Sequence, residues 1–203
     1  MKKVIIAALI SLTSFQAFSQ EKINTYTSEY FKGKEYEIAA SKGKKEGEYT
    51  YYLDAYSRDS SIKKITLSID SDDLLDFRES LNQAKEKYIS WSKTAEEHNV
   101  SELDKTMKDI KFKSAVAFLY GSKWQFDFSV NYIFRAKLID NQMHLIIQNK
   151  RELVSSSNQF MKSDGFLLVF ESEQEINDFI SKLDIQQVIS HFNKKNSKED
   201  LFQ

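Results

Sequence analysis

Residues 124–138 read Trp-Gln-Phe-Asp-Phe-Ser-Val-Asn-Tyr-Ile-Phe-Arg-Ala-Lys-Leu, with an apolar side chain at every even number. Alternation held over 15 residues predicts a long β-strand with one buried and one wet face. On this reading Phe128 belongs to the core, while Asp127 and Arg135 share the polar face and offer a patch for binding.

The neighbouring segments extend the strand into a meander. Phe112–Tyr120 reads as a strand, and Gly121-Ser122 supplies the positive φ that a two-residue hairpin turn requires. Asp140-Asn141-Gln142 is a polar turn into a third strand at Met143–Gln148. Phe166–Phe170 is too short and too aromatic for an independent helix and reads as a fourth strand. The period then changes: Ser172 and Glu175 have capping-box spacing, Ile176, Phe179 and Leu183 recur at helical intervals, and Asp184 opens a continuation carrying Ile185, Val188 and Phe192.

The first half repeats this order. Asp70 and Asp73 stand where Ser172 and Glu175 stand, and Leu74, Phe77 and Leu81 match Ile176, Phe179 and Leu183, all at one offset of 102 residues. A strand at Ile65–Ile69 precedes them, with further strands at Tyr26–Phe31, Glu35–Ala40 and Glu48–Ser57. The expected fold class is therefore α+β: a two-layer antiparallel sheet covered by helices, made of two ββββα repeats over 20–98 and 112–203. Residues 99–111 contain neither Pro nor Gly and read as a packed connector, with Leu103, Met107 and Ile110 in a short helical turn.

Residues 1–19 read as a secretory signal peptide. Lys2 and Lys3 precede the apolar run Val4–Leu12, and Ala17 and Ser19 offer the small residues that a signal peptidase requires. The run is shorter than the roughly 20 residues that span a bilayer, and no Cys is present for acylation, so the expected product is a periplasmic or secreted chain without a stable membrane anchor. Without Lys2 and Lys3 the chain has 27 basic and 30 acidic residues, a charge of −3. That balance makes nucleic acid an unlikely partner.

The inventory for chemistry is short. With no Cys, and with His98, His144 and His191 lacking any helical partner His, no catalytic, cofactor or metal site is expected. Asp70, Asp72, Asp73 and Asp76 gather at a helix start, where the macrodipole favours acids. Tyrosines are the more informative excess. Tyr49 and Tyr51 fall on one face of their strand and Tyr52 and Tyr56 on the other, so one pair is available to meet a partner.

The matched stripes Leu74/Phe77/Leu81 and Ile176/Phe179/Leu183 give the chain an architectural resemblance, over residues 25–192, to the tandem ββββα units of the PUR and Whirly families. That resemblance implies single-stranded nucleic-acid binding on strand aromatics beside basic residues. The signal peptide and the acidic balance point elsewhere. The cysteine-free, Lys-rich exported chain also resembles uncharacterised secreted proteins of Gram-negative bacteria.

The function expected is that of an exported, non-catalytic binding module. It recognises a protein, peptide or glycan through an exposed sheet face or edge, with Tyr52, Tyr56, Asp127 and Arg135 as contact candidates. The alternatives are an envelope hydrolase using a carboxylate pair and a binder of a small apolar ligand inside a curved sheet.

Overall fold

The computed structural model describes residues 20–199, and the expected leader at 1–19 lies outside them. In chain order the elements are β1 (Glu21–Ser28), β2 (Lys34–Lys42), β3 (Tyr49–Ser57), β4 (Ile65–Asp70), α1 (Ser71–Glu97), β5 (Asp104–Thr106), β6 (Lys113–Tyr120), β7 (Lys123–Ile139), β8 (Gln142–Asn149), β9 (Leu153–Val154), β10 (Lys162–Ser163), β11 (Phe166–Phe170), α2 (Glu173–Ser181) and α3 (Ile185–Glu199). The class is α+β, and the strand pairings are antiparallel.

The sheet departs from the expected flat layer by closing on itself. β4 pairs with β6, and β3 pairs with β4 on one side and with β11 on the other, so β3, β4, β6, β7, β8 and β11 form a six-stranded barrel. β2 also pairs with β3, over Ile38–Lys42, and β1 extends that flank. Each half is nonetheless a four-strand meander followed by a helix, β1-β2-β3-β4-α1 and β6-β7-β8-β11-α2. One continuous core spans both halves. Closure leaves the six barrel strands no open edge, while β1 remains an edge strand.

Helices close one end of the barrel. α1 begins where β4 ends, Phe77 reaches Phe112 and Tyr132 at ring separations of 4.7 and 6.2 Å, and Tyr88 Oη donates to the carbonyls of Met143 and Glu171. Its buried apolar residues Leu74, Phe77, Leu81, Ala84, Tyr88 and Ala95 continue the Leu74/Phe77/Leu81 stripe read from the sequence, with Trp91 only partly buried. Ser172 caps α2 by accepting from the Glu175 amide at 3.1 Å, whereas Asp70 makes no side-chain cap and instead accepts from Thr50 Oγ1. Inside, Phe118, Phe134, Phe166 and Phe170 are fully buried, each contributing about 2–3 kcal/mol through apolar area removed from water.

The connector is packed, as expected, but differently. Asp104–Thr106 adds a short strand to β7 while Met107 and Ile110 are buried beside it. At the opposite end from the helices lie the turns 58–64 and 121–122 and the long connection 150–165, which carries the small β9–β10 hairpin, whereas the 29–33 turn reaches the start of α2, the Glu29 amide donating to Glu175. Gly121 takes a φ of +62°, as its two-residue turn requires, and Asp140 and Asn141 are both left-handed in the β7–β8 hairpin.

Candidate functional site

The expected buried face of β7 holds for only half of the strand. Val130, Tyr132, Phe134 and Ala136 are buried, but Trp124, Phe126 and Phe128 are 42%, 44% and 68% exposed, while Gln125 and Asp127 are buried. The cause is a β-bulge. Val116 of β6 pairs with Asp127 and Ser114 pairs with Val130, so β7 takes three steps where β6 takes two. One extra residue reverses which face every subsequent side chain occupies. Phe128 is thus not a core residue, and Asp127 and Arg135 lie on opposite faces because the bulge falls between them.

Polar residues turned inward hold this inversion in place. Arg151 clasps Asp127 with Nη1 donating to Oδ2 at 2.7 Å and Nη2 to Oδ1 at 3.0 Å, and the Val154 amide donates to Oδ2 at 3.0 Å. Burial pushes the Asp127 carboxyl up, but Arg151 and the amides of Val154 and Ser129 outweigh it and hold the group below its ordinary value. Gln125 Oε1 accepts from Ser155 Oγ at 2.7 Å, and the Ser156 amide donates to the Phe126 carbonyl at 2.8 Å. The 150–165 connection therefore sits alongside the first half of β7 and bonds to it. A register slip that buried the rings would turn Asp127 and Gln125 outward and leave Arg151, the Val154 amide and Ser155 without these partners.

On the outer face the three aromatics stand in a row. Phe126 and Phe128 stack on each other, with centroids 6.1 Å apart and planes 6° from parallel. Across the sheet Phe126 pairs with Ala117 and Trp124 with Leu119, and the small residue at 117 leaves the rings proud of the surface. Beyond them Thr66 and Lys64 both bond to Asp54, giving the strip a polar border. Phe160, 84% exposed, projects from the connection that bonds to β7. Contiguous exposed aromatic surface of this kind is uncommon away from interaction sites.

The other candidate residues are placed as follows. Tyr52 is half-buried on the outer face of β3, its hydroxyl 3.2 Å from Ser41 Oγ. Tyr56, on the same face, stacks flat on Phe31 at 4.0 Å with planes 5° apart. Tyr49 and Tyr51 are the buried pair. Arg135 forks onto Asp104 of β5 and is committed to that pairing. None of these touches the Trp124–Phe128 strip through a described bond.

Two of the three histidines are held in structural contacts. His144 is 3% exposed, packed edge-on against Tyr30, with Nδ1 2.9 Å from the Gln142 carbonyl and Nε2 3.2 Å from a Glu171 carboxylate oxygen. His191 pairs with Glu21 at 3.1 Å. Among the described residues no group of three or more His, Asp or Glu side chains is arranged to hold a metal ion. Carboxylates do meet in one open groove of about 340 Å³ where β2 parts from β3: Glu35, Glu37 and Asp54 line it together with Lys22, Lys34, Lys63 and Lys64. Asp54 is already bound there by Lys64 at 2.9 Å.

The strip escaped detection because β7's own sequence alternates without interruption through the bulge. Its trace lies in the partner strand, since Ser114, Val116 and Phe118 must face the same interior as Val130 and Tyr132. No helix among the described residues is long and apolar enough to cross a membrane. No family model, curated protein or solved structure matches the chain.

Proposed function

We propose that this chain is an exported binding module that recognises its partner through the exposed face of β7 at the helix-free end of the barrel. The observation that carries the reading is the inversion at the bulge: three large aromatics turned outward while Gln125 and Asp127 are turned inward and bonded. Burying those rings in the barrel would be worth about 1.5–3 kcal/mol each. A strand held so that they are displayed forgoes this stabilisation, which an interface recovers when it covers them.

Export rests on the leader-like pattern of residues 1–19. The duplicated order, a four-strand meander and then a helix in each half, supports descent from two ββββα repeats, with the barrel closed by pairings between them. Tyr52 and Tyr56 remain candidates for a secondary contact on β3, apart from the β7 strip.

The test places a photo-crosslinking benzoylphenylalanine at position 128 and, as a control, at the equally exposed position 75 of α1. The reading predicts adducts of defined mass, whether to a protein, a glycan or a lipid, from position 128 only, suppressed by excess wild-type protein and not by excess Phe126→Ser/Phe128→Ser protein. Adducts equal in pattern at both positions, or none at 128, would overturn it.

A further inference from the structure

The charge of the molecule is unevenly placed. The connections at the helix-free end, 58–64, 121–122 and 150–165, carry six basic residues and three acidic ones, and Lys123 adjoins them, although the whole chain has 29 basic and 30 acidic residues. Three of these cations are paired, Arg151 with Asp127, Lys162 with Glu152 and Lys64 with Asp54, which leaves Arg58, Lys63, Lys123 and Lys150 against Asp59 and Asp164. Lys123 makes no ion pair among the described residues. The exposed aromatics Trp124, Phe126, Phe128 and Phe160 therefore sit at the basic end of a nearly neutral chain.

We infer that this end of the barrel docks on an anionic lipid surface, Phe128 and Phe160 entering the interfacial layer with Trp124 beside them and the surrounding lysines and arginines facing the headgroups. The inference rests on the strip being the binding surface, as proposed above, and names its partner. Rings projecting from a strand bulge and from a separate loop, rimmed by cations, match the chemistry of an interface that is apolar below and negative above. Two other occupants fit less well. A second copy related by a two-fold axis would bring two basic ends together, against their mutual repulsion. Single-stranded nucleic acid stacks on free ring faces, and here Phe126 and Phe128 already cover part of each other's.

The experiment uses the full chain carrying Trp91→Phe, which leaves Trp124 as the sole tryptophan. Its emission is followed on titration with vesicles of phosphatidylcholine alone and of phosphatidylcholine with phosphatidylglycerol. The expected result is a saturable blue shift with the anionic vesicles, diminished by salt and weaker on the neutral ones. Phe128→Ser/Phe160→Ser in this background should lower partitioning about tenfold or more. If that pair disturbs the fold by circular dichroism, Lys63→Glu/Lys123→Glu keeps the rings and should abolish the preference for anionic vesicles. Unchanged Trp124 emission on both vesicles overturns the inference, as does partitioning without a blue shift, which would place the contact elsewhere in the chain, such as the apolar run 4–12. Self-association that requires Phe128, or quenching of Trp124 by oligothymidylate without a vesicle response, also overturns it. Either of these last results leaves the binding-module reading standing, whereas that reading fails on the crosslinking at position 128.

Discussion

Asp127 and Phe128 are adjacent in sequence and opposite in environment: the carboxylate is 5% exposed in the grip of Arg151, and the ring beside it is 68% exposed. The two facts have one cause. The carboxylate has found its partners on the inner side, in the 150–165 connection, and the backbone between Asp127 and Val130 bulges so that the rest of β7 can still face the barrel interior.

That pair makes a prediction about acid. The Asp127 carboxyl is held below its ordinary value, so the unfolded chain binds a proton there more readily than the folded one. Its contribution to stability is then fully present above the unfolded pKa of about 3.9 and is lost as pH falls through the lower folded value. Asp127→Asn should cost about 2 kcal/mol at pH 7 by weakening the charge-assisted bonds, and the deficit relative to wild type should shrink below about pH 4. Urea unfolding of both proteins between neutral and acid pH checks this; a deficit independent of pH would show that the charge contributes nothing.

Gly165 is predicted to be intolerant of any side chain. It takes a φ of +95°, and an added Cβ would run into the amide of Asn149, which bonds the Phe166 amide at 2.8 Å and the Asp164 carbonyl at 2.9 Å. Backbone strain alone amounts to about 1–3 kcal/mol. Gly165→Ala should lower the unfolding free energy by at least that amount in a denaturant titration, and an effect near zero would mean that the connection repositions freely.

Tyr56 and Phe31 predict a small effect. Their flat stack ties the β1–β2 turn to the end of β3, and such aromatic pairs contribute about 0.5–1.5 kcal/mol beyond area. Tyr56→Ala should therefore destabilise modestly, whereas Phe118→Ala in the barrel interior should cost about 3–5 kcal/mol. Thermal unfolding of both variants distinguishes a tie on the surface from a core ring.

Much of the fold was legible locally. Ser172 announces α2 through its cap, the three-then-four spacing of Leu74, Phe77 and Leu81 defines the buried stripe of α1, and Gly121 marks its hairpin turn. What escaped is non-local. Periodicity states that Ile65–Ile69 is a strand but not that it pairs with β6, and barrel closure is a fact about such pairings. The site escaped for the same reason. Whether position 128 faces in or out depends on Arg151, 23 residues further along the chain, and on the length of the strand beside it.

The most direct test is the unfolding free energy of Phe126→Ser/Phe128→Ser, measured in urea beside wild type. If the two rings are displayed and not packed in the core, the value should stay within about 1.5 kcal/mol of wild type, the most that their mutual stacking contributes. A loss of about 3 kcal/mol or more would show that the rings belong to the core, and would contradict the account at its root.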